Sequence, residues 1–262
     1  MLTLIRDLGR RRGRERRGLA LAEGVRLVEE ALAAGIAVRG VAIAPSLEGT
    51  DRGRALKDAL DGANVRQVTV TTAELGRLAD TEHPQGIVAV IEPRTWSLAD
   101  MVPAAERPVL VLDAVQDPGN VGTMLRSALA LGAAGVVALP GTAELANPKV
   151  VRGAMGASFR LPCVSATDAA LLEWLRASGA ELWAAAMDGE PVGMVIASGE
   201  AGTRPGRRAP IAIVVGNEGS GIRPVLLEAA GRRVAIPLRG PAESLNAAVA
   251  AAILLYEVTR DR

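Results

Sequence analysis

The sequence predicts an α/β protein whose C-terminal half is a doubly wound domain on a parallel sheet, preceded by a smaller α/β unit. Three observations carry that expectation. Strand-like and helix-like patterns alternate along the whole chain. The run Pro108-Val-Leu-Val-Leu-Asp113 is apolar at each step before its final carboxylate, as in strands buried on both faces of a parallel sheet. Several strand-like runs of the second half pass directly into glycine, proline and polar residues, where open α/β sheets form their sites. At about 100 to 200 residues per domain, the chain has material for two.

From Leu19 onward Val25, Leu27, Val28, Ala31 and Leu32 recur at helical spacing and the pattern stops at Gly35, predicting a helix. Val38–Ala44 and Val65–Val70 predict strands with a helix over Arg54–Leu60 between them, and Ile87–Ile91 predicts another strand before Pro93. The segment Glu92–Pro108 carries Pro93, Pro103 and Pro108 with few β formers and reads as a linker. After the 108–113 strand the pattern predicts a helix over Val121–Leu131, a strand over Gly135–Leu139 and a loop containing Asn147-Pro148-Lys149. Helices over Val150–Met155 and Asp168–Ser178 follow, then strands over Glu181–Ala186, Ile211–Val215 and Arg233–Ile236. Gly199–Pro210, rich in Gly, Pro and Arg, reads as an exposed loop. The closing helix, from about Ser244 to Arg260, is apolar nearly all round, which predicts burial on every side, in the core or against a second copy of the chain. The expected division is a basic arm (1–18), a first domain (19–92), a linker (93–107) and a larger domain (108–262).

Composition narrows the chemistry. A hydrophobic fraction of 49% with 23% charged residues belongs to a globular chain. One cysteine, Cys163, and one histidine, His83, exclude a disulfide framework, a Cys/His zinc site and a Cys-His nucleophile pair, so no metal centre is expected. Cys163 reads as an apolar filler, Trp174 and Trp183 as core, and His83 as a loop contact of the first domain. The longest apolar stretches fall short of the roughly 18 to 20 residues of a bilayer crossing, and no apolar leader core follows the basic start; a cytoplasmic protein without membrane association is expected. Residues 1–18 hold seven arginines against Asp7 and Glu15, which fits either a solvated flexible end or an arm for nucleic acid. With five aromatics scattered along the chain, any RNA contact must rest on charge and shape rather than stacking.

Three stretches stand out as candidate sites. In Asp117-Pro118-Gly119-Asn120, a turn and helix start, Asn120 is either the cap or a functional amide, and Arg126 on the same helix is either a surface cation or a functional one. Gly216-Asn217-Glu218-Gly219-Ser220-Gly221 follows an apolar strand, and its glycines would let a ligand approach the backbone. It matches neither the phosphate-loop pattern nor the dinucleotide fingerprint, which argues against ATP, GTP and NAD. In the third, a strand stops at Pro237, turns at Gly240-Pro241 and enters the last helix near Ser244-Leu245-Asn246.

On these residues the sequence resembles the SpoU/TrmH family of RNA ribose methyltransferases, a branch of the trefoil-knotted SPOUT superfamily. The family's three motifs look like Asp113…Asp117-Pro-Gly-Asn120…Arg126, Gly216-Asn217-Glu218-Gly219 and Ile236-Pro237…Ser244-Leu245-Asn246. Asn147-Pro-Lys149-Val-Val-Arg152-Gly-Ala-Met-Gly156 also resembles a family segment. Leu21-Ala-Glu23-Gly24 and His83-Pro84-Gln85-Gly86 are similar to the family's N-terminal substrate-binding domain, whose fold is shared with small ribosomal RNA-binding proteins.

The resemblance implies a SPOUT domain with a deep C-terminal trefoil knot, a mostly parallel sheet and S-adenosylmethionine as methyl donor, with no metal. The donor would be held by Gly216, Asn217, Glu218, Gly219, Ile236, Leu238, Leu245 and Asn246, and Arg126, Asn120, Glu218, Ser244 and Asn246 would carry the transfer. In that scheme Asn120 positions a ribose 2′-hydroxyl, Arg126 clamps the neighbouring phosphate and the developing alkoxide, and Glu218 orients Arg126 or bonds the nucleotide. Ser244 and Asn246 hold the loop and target ribose at the seam of a homodimer built on the knot region and last helix. The substrate implied is 23S ribosomal RNA of the large subunit; a tRNA, or a catalytically silent RNA-binding scaffold of the same fold, are the alternatives.

Overall fold

The computed structural model describes residues 1–198, 203–204, 207–241 and 243–260. The chain divides into two compact units, Met1–Thr95 with Ala146–Arg160, and Trp96–Leu145 with Leu161–Arg262.

The first unit begins with two short helices, α1 (Leu2–Leu8) and α2 (Arg11–Arg17), where a flexible end was one of two expectations. They are held by their own arginines. Arg14, only 5% exposed, donates through Nη1 to the carbonyls of Leu8 at 2.9 Å and Gly9 at 3.2 Å. Asp7 accepts from Arg17 at 2.6 Å and Arg16 at 2.9 Å, and the Arg17 bond is the main reason its carboxyl lies below the usual carboxylate range.

Next come β1 (Ala20–Glu23), α3 (Val25–Ala33), β2 (Ala37–Ile43), α4 (Asp51–Gly62), β3 (Gln67–Thr69), α5 (Thr72–Gly76) and β4 (Ile87–Glu92). The helical pattern read from Leu19 therefore starts only at Val25. Ala20–Glu23 is buried throughout and pairs antiparallel with β4, and Gly24, at φ +96°, turns the chain from strand into helix. The sheet order is β1-β4-β2-β3, parallel only between β2 and β3. Alternation along β4 separates two cores: Ile87, Ala89 and Ile91 pack with α3 and α4, while Val88 and Val90 pack with Ile5, Leu8 and Leu75.

The rest of the chain forms β5 (Val109–Asp113), α6 (Pro118–Ala130), β6 (Gly135–Ala138), α7 (Pro148–Ala154), β7 (Cys163–Ser165), α8 (Asp168–Ser178) and β8 (Glu181–Pro191). Then follow α9 (Val192–Ala197), the two-residue pair β9 (Thr203–Arg204) and β10 (Arg207–Arg208), β11 (Ile211–Gly216), α10 (Pro224–Ala229), β12 (Arg232–Ala235) and α11 (Ala247–Thr259). The expected Gly199–Pro210 loop lies largely outside the described residues. Although α7 falls within the second half of the sequence, its segment packs in the first unit: Val151 and Phe159 complete the core beneath α3, and Arg152 pairs with Glu23 and Asp80.

Six strands of the second unit form a sheet in the order β12-β8-β11-β5-β6-β7, parallel at each pairing. All of β5 and β6 is buried, which is why neither alternates. The chain runs outward through β5, β6 and β7, then returns to the other side of β5 with β8 and β11, so the direction of winding reverses between β5 and β11. Asp113 and Gly216 face each other across that reversal, at the carboxyl ends of both strands. Trp183 is fully buried and Trp174 packs partly buried against the core. Cys163 opens β7, and burial pushes its thiol up to about 12.

Of the two kinds of burial expected for the last helix, the core supplies one on part of its circumference. It buries Ala247, Ala248, Ala251, Leu254, Leu255 and Val258, but Val249 and Tyr256, seven residues apart on one face, are 48% and 52% exposed. Its apolar circumference is thus only partly covered by the described residues of its own chain. No helix among the described residues is long and apolar enough to cross a membrane.

Candidate functional site

The site is built at the winding reversal of the second unit. Gly216 ends β11, and a Cβ there would fall 2.3 Å from the carbonyl carbon of Gly221. The glycine is therefore demanded by the chain folding back on itself, rather than by an approaching ligand. Asn217 and Gly221 exchange two backbone hydrogen bonds of 3.1 and 3.0 Å that close this loop. The Asn217 side chain fills it: Oδ1 accepts from the amides of Gly219 at 2.9 Å and Ser220 at 3.0 Å, while Nδ2 donates to the Ala114 carbonyl at 2.9 Å.

An ion-pair network anchors the loop from below. Asp113 is fully buried and accepts from the backbone N–H of Arg223 at 2.7 Å and its Nε at 2.6 Å. The other edge of the same guanidinium donates to both oxygens of Asp168, at 2.9 and 2.7 Å. Those bonds, to Asp168 first, raise the Arg223 pKa above its ordinary value. Arg223 and Asp168 were missed in the sequence. A carboxylate closing an otherwise apolar buried strand signals that a counter-charge exists, but not where it lies in the chain.

The first motif resolves differently from the capping reading. Asp117 is the N-cap of α6, accepting from the Asn120 N–H at 2.7 Å, and Pro118 takes the first helical position. Asn120 is thereby released from capping. Its Nδ2 donates to Glu218 Oε1 at 2.7 Å, and its Oδ1 accepts from Asn246 Nδ2 at 3.0 Å. Asn246 is the true cap of α11, its Oδ1 accepting from Ala248 N at 2.9 Å and Val249 N at 3.3 Å. The helix thus starts at Ala247, and Ser244 sits exposed on the preceding loop.

Three expected residues, Asn120, Glu218 and Asn246, are therefore joined in one hydrogen-bonded row from three distant motifs. Arg126 is exposed on the body of α6 and forms no ion pair or hydrogen bond with a described residue, so Glu218 holds Asn120 rather than Arg126.

A cavity of about 550 Å³ opens beside this row. All eight residues expected around a donor line it: Gly216, Asn217, Glu218, Gly219, Ile236, Leu238, Leu245 and Asn246, with Ser244 at the same wall. Ala185–Met187, in the middle of β8, form a further wall that the sequence reading did not include. Leu238 and Leu245 supply apolar surface, and the turns around Gly216 and Gly219 supply main-chain groups, so the cavity suits a ligand with both apolar and hydrogen-bonding parts.

The sequence model of the SpoU rRNA Methylase family matches residues 107–256, more than half of the chain and all of this site. The chain belongs to the SpoU family. A second model, the MRM3-like substrate binding domain, matches residues 3–89. Among SpoU relatives, the 23S rRNA (guanosine(2553)-2′-O)-methyltransferase RlmP of Bacillus subtilis is 36% identical over 91% of this chain and 87% of its own length. The SpoU methyltransferase AviRb of Streptomyces viridochromogenes superposes with a TM-score of 0.84 at 28% identity, covering 100% of this chain and 96% of that one. An AdoMet-bound rRNA methyltransferase of Sinorhizobium meliloti superposes with a TM-score of 0.82 at 28% identity, over 99% and 94% of the two chains. The SpoU model covers the parallel sheet of the second unit, and the MRM3-like model covers nearly all of the separate N-terminal sheet.

Proposed function

We propose that this SpoU protein is an S-adenosylmethionine-dependent RNA methyltransferase that methylates a ribose 2′-hydroxyl of 23S rRNA. The observation that carries the reading is the joined row Glu218–Asn120–Asn246 standing at the edge of the 550 Å³ cavity. A decayed scaffold has no need of three motif side chains in mutual register, and relatives named for rRNA match nearly the whole chain, which favours rRNA over tRNA.

The cavity has the size of small-molecule sites, about 300 to 1,000 Å³, and its wall is partly apolar and partly polar, so the residues present fit the methyl donor. When bound, S-adenosylmethionine supplies a methyl group on a sulfonium, an excellent leaving group. The protein supplies alignment. Main-chain groups near Gly216, Ile236 and Leu245 hold the donor, and Leu238 packs beside it. Asn120, its amide fixed by Glu218 and Asn246, positions the 2′-hydroxyl in line with the methyl group. Ser244 steadies the loop and target ribose. Arg126 clamps the neighbouring phosphate and the developing negative oxygen; a guanidinium holds its proton too tightly to act as base. The proton leaves through water held by Asn120 or through a phosphate oxygen.

The SPOUT trefoil knot and a homodimer belong to the same proposal. Supporting the dimer, Leu245, Val249 and Tyr256 leave an exposed apolar strip along the start and body of α11. Sedimentation equilibrium showing a monomer at micromolar concentration would remove that part.

The function is tested with isotopically labelled S-adenosylmethionine, the purified full chain and protein-free 23S rRNA. Label is expected at one 2′-oxygen, with calorimetric binding of the donor. Label on a base, or no donor binding at all, overturns the reading.

A further inference from the structure

The first unit contains a second, smaller cavity of about 180 Å³, far below the roughly 300 Å³ at which whole-ligand sites begin. Its size suits one piece of a larger ligand. It lies where the end of β1, the first turn of α3, the 81–85 loop and α7 meet.

The polar groups around it are unbalanced in favour of donors. Its only carboxylate, Glu23, is buried and already engaged: it accepts from the backbone amides of Asp80 at 2.8 Å and Thr81 at 3.3 Å and from the Thr81 hydroxyl, and pairs with Arg152 at 3.6 Å. Gln85 spends its oxygen on the Val25 N–H at 3.1 Å, which leaves its Nε2 hydrogens as free donors. Arg152 keeps Nη1 buried with no hydrogen-bond acceptor, only the long ion pair to Glu23. Arg26 and His83 are exposed at the rim, and Arg26 has no ion pair or hydrogen bond among the described residues.

We infer that this pocket receives one nucleotide of the substrate RNA, its acceptor-rich phosphate and base edge meeting Arg26, His83, Gln85 and Arg152. The inference rests on the RNA reading above and names a grip on the strand within the first unit, by residues that do not line the methyl-transfer cavity. Donors without acceptors select phosphate oxygens and base carbonyls, and a pocket that admits one residue selects an unpaired strand, whose nucleotides can be turned out of the helix. Lacking a Phe, Tyr or Trp wall, it would take hold by charge and hydrogen bonds, with the His83 ring and the flat face of a guanidinium as its stacking surfaces.

The test is titration of the full chain with protein-free 23S rRNA at several salt concentrations, followed by electrophoretic mobility. Arg26→Ala should weaken binding about tenfold and lower the salt slope by roughly 0.7 to 0.9, the amount for one phosphate contact. Gln85→Glu keeps the oxygen that accepts from Val25 while replacing the free donor by an acceptor, so it should fold normally and weaken binding at least as much. His83→Ala should act in the same direction. Wild-type affinity and salt slope in all three variants, each melting like the wild type, would overturn the inference, as would a wild type that binds no RNA. Calorimetry with S-adenosylmethionine on the same samples separates the two readings: loss of donor binding in the wild type defeats the methyltransferase, whereas intact donor binding with unaltered RNA affinity in the variants defeats only this pocket.

Discussion

Asn246 donates its amide hydrogen to Asn120 Oδ1 at 3.0 Å, and that single bond fixes the polarity of the whole row. The α11 amides claim the oxygen of Asn246, so its NH₂ must face Asn120; the oxygen of Asn120 is then occupied, so its NH₂ must face the Glu218 carboxylate.

Asn246→Asp preserves the oxygen that caps α11 but sets a second oxygen against Asn120 Oδ1. Thermal melting should barely move, while the methyl-transfer rate falls on the order of 100-fold. Asn246→Ala should instead lose the cap, at about 1 kcal/mol, as well as the activity. Wild-type turnover in Asn246→Asp would show that the polarity of the row is irrelevant.

Arg126 is exposed and forms no ion pair or hydrogen bond with a described residue, so Arg126→Ala should leave stability within roughly 0.5 kcal/mol by urea titration. Its methyl-transfer rate should drop on the order of 100-fold or more. Arg126→Lys discriminates the roles: renewed activity with a new ionisation near the ordinary lysine value, about 10.4, in the pH–rate profile would make this residue the base and refute the clamp.

Removing the Arg223 side chain leaves Asp113 buried with only a backbone donor. Arg223→Ala should cost about 3 kcal/mol, at the lower end for a broken buried pair because the guanidinium is itself 34% exposed. Combined with Asp113→Asn the losses should be less than additive, measured by denaturant titration of the four proteins in the cycle.

Gly216→Ala would drive a methyl group into Gly221 and Ile222 and spread the loop that lines the large cavity. Calorimetric affinity for S-adenosylmethionine should fall at least about tenfold, or 1.4 kcal/mol. Unchanged affinity would mean that the loop yields at no cost to the cavity.

The Cys163 thiol, raised by burial to about 12, keeps its proton in the native protein when an unfolded thiol has lost it. A folded value above the unfolded one gives stability that is complete below the ordinary 9.0 and is lost as pH rises from there through about 12. Alkylation at pH 8.5 should therefore be slow in the native state and fast in denaturant; equal rates would contradict the burial.

Much of the architecture could be read in advance because β5, β6 and α8 are specified locally: two runs of uninterrupted apolar residues and a Thr167-capped amphipathic helix. The cavity wall was legible as well, since the glycine and proline turns that form it adjoin the strands in sequence. What stayed hidden depends on tertiary partners. Ala20–Glu23 is a strand only because β4 lies beside it, and Arg14, Arg16 and Arg17 turn a charged stretch into structure only by finding Leu8, Gly9 and Asp7. Asn120 looked like a cap because the turn around it is a capping turn; that the cap is three residues earlier follows from which side chain can reach the free amide.

The placement of α7 has a consequence for biosynthesis. With Val151 and Phe159 forming part of the wall under α3, the N-terminal core lacks two of its buried side chains when its first ninety-five residues have emerged from the ribosome. It gains them only once the polypeptide has been extended past Phe159, by which time β5 and β6 have also been synthesised. The last core residues of the first unit are thus supplied only after the opening strands of the second have been made.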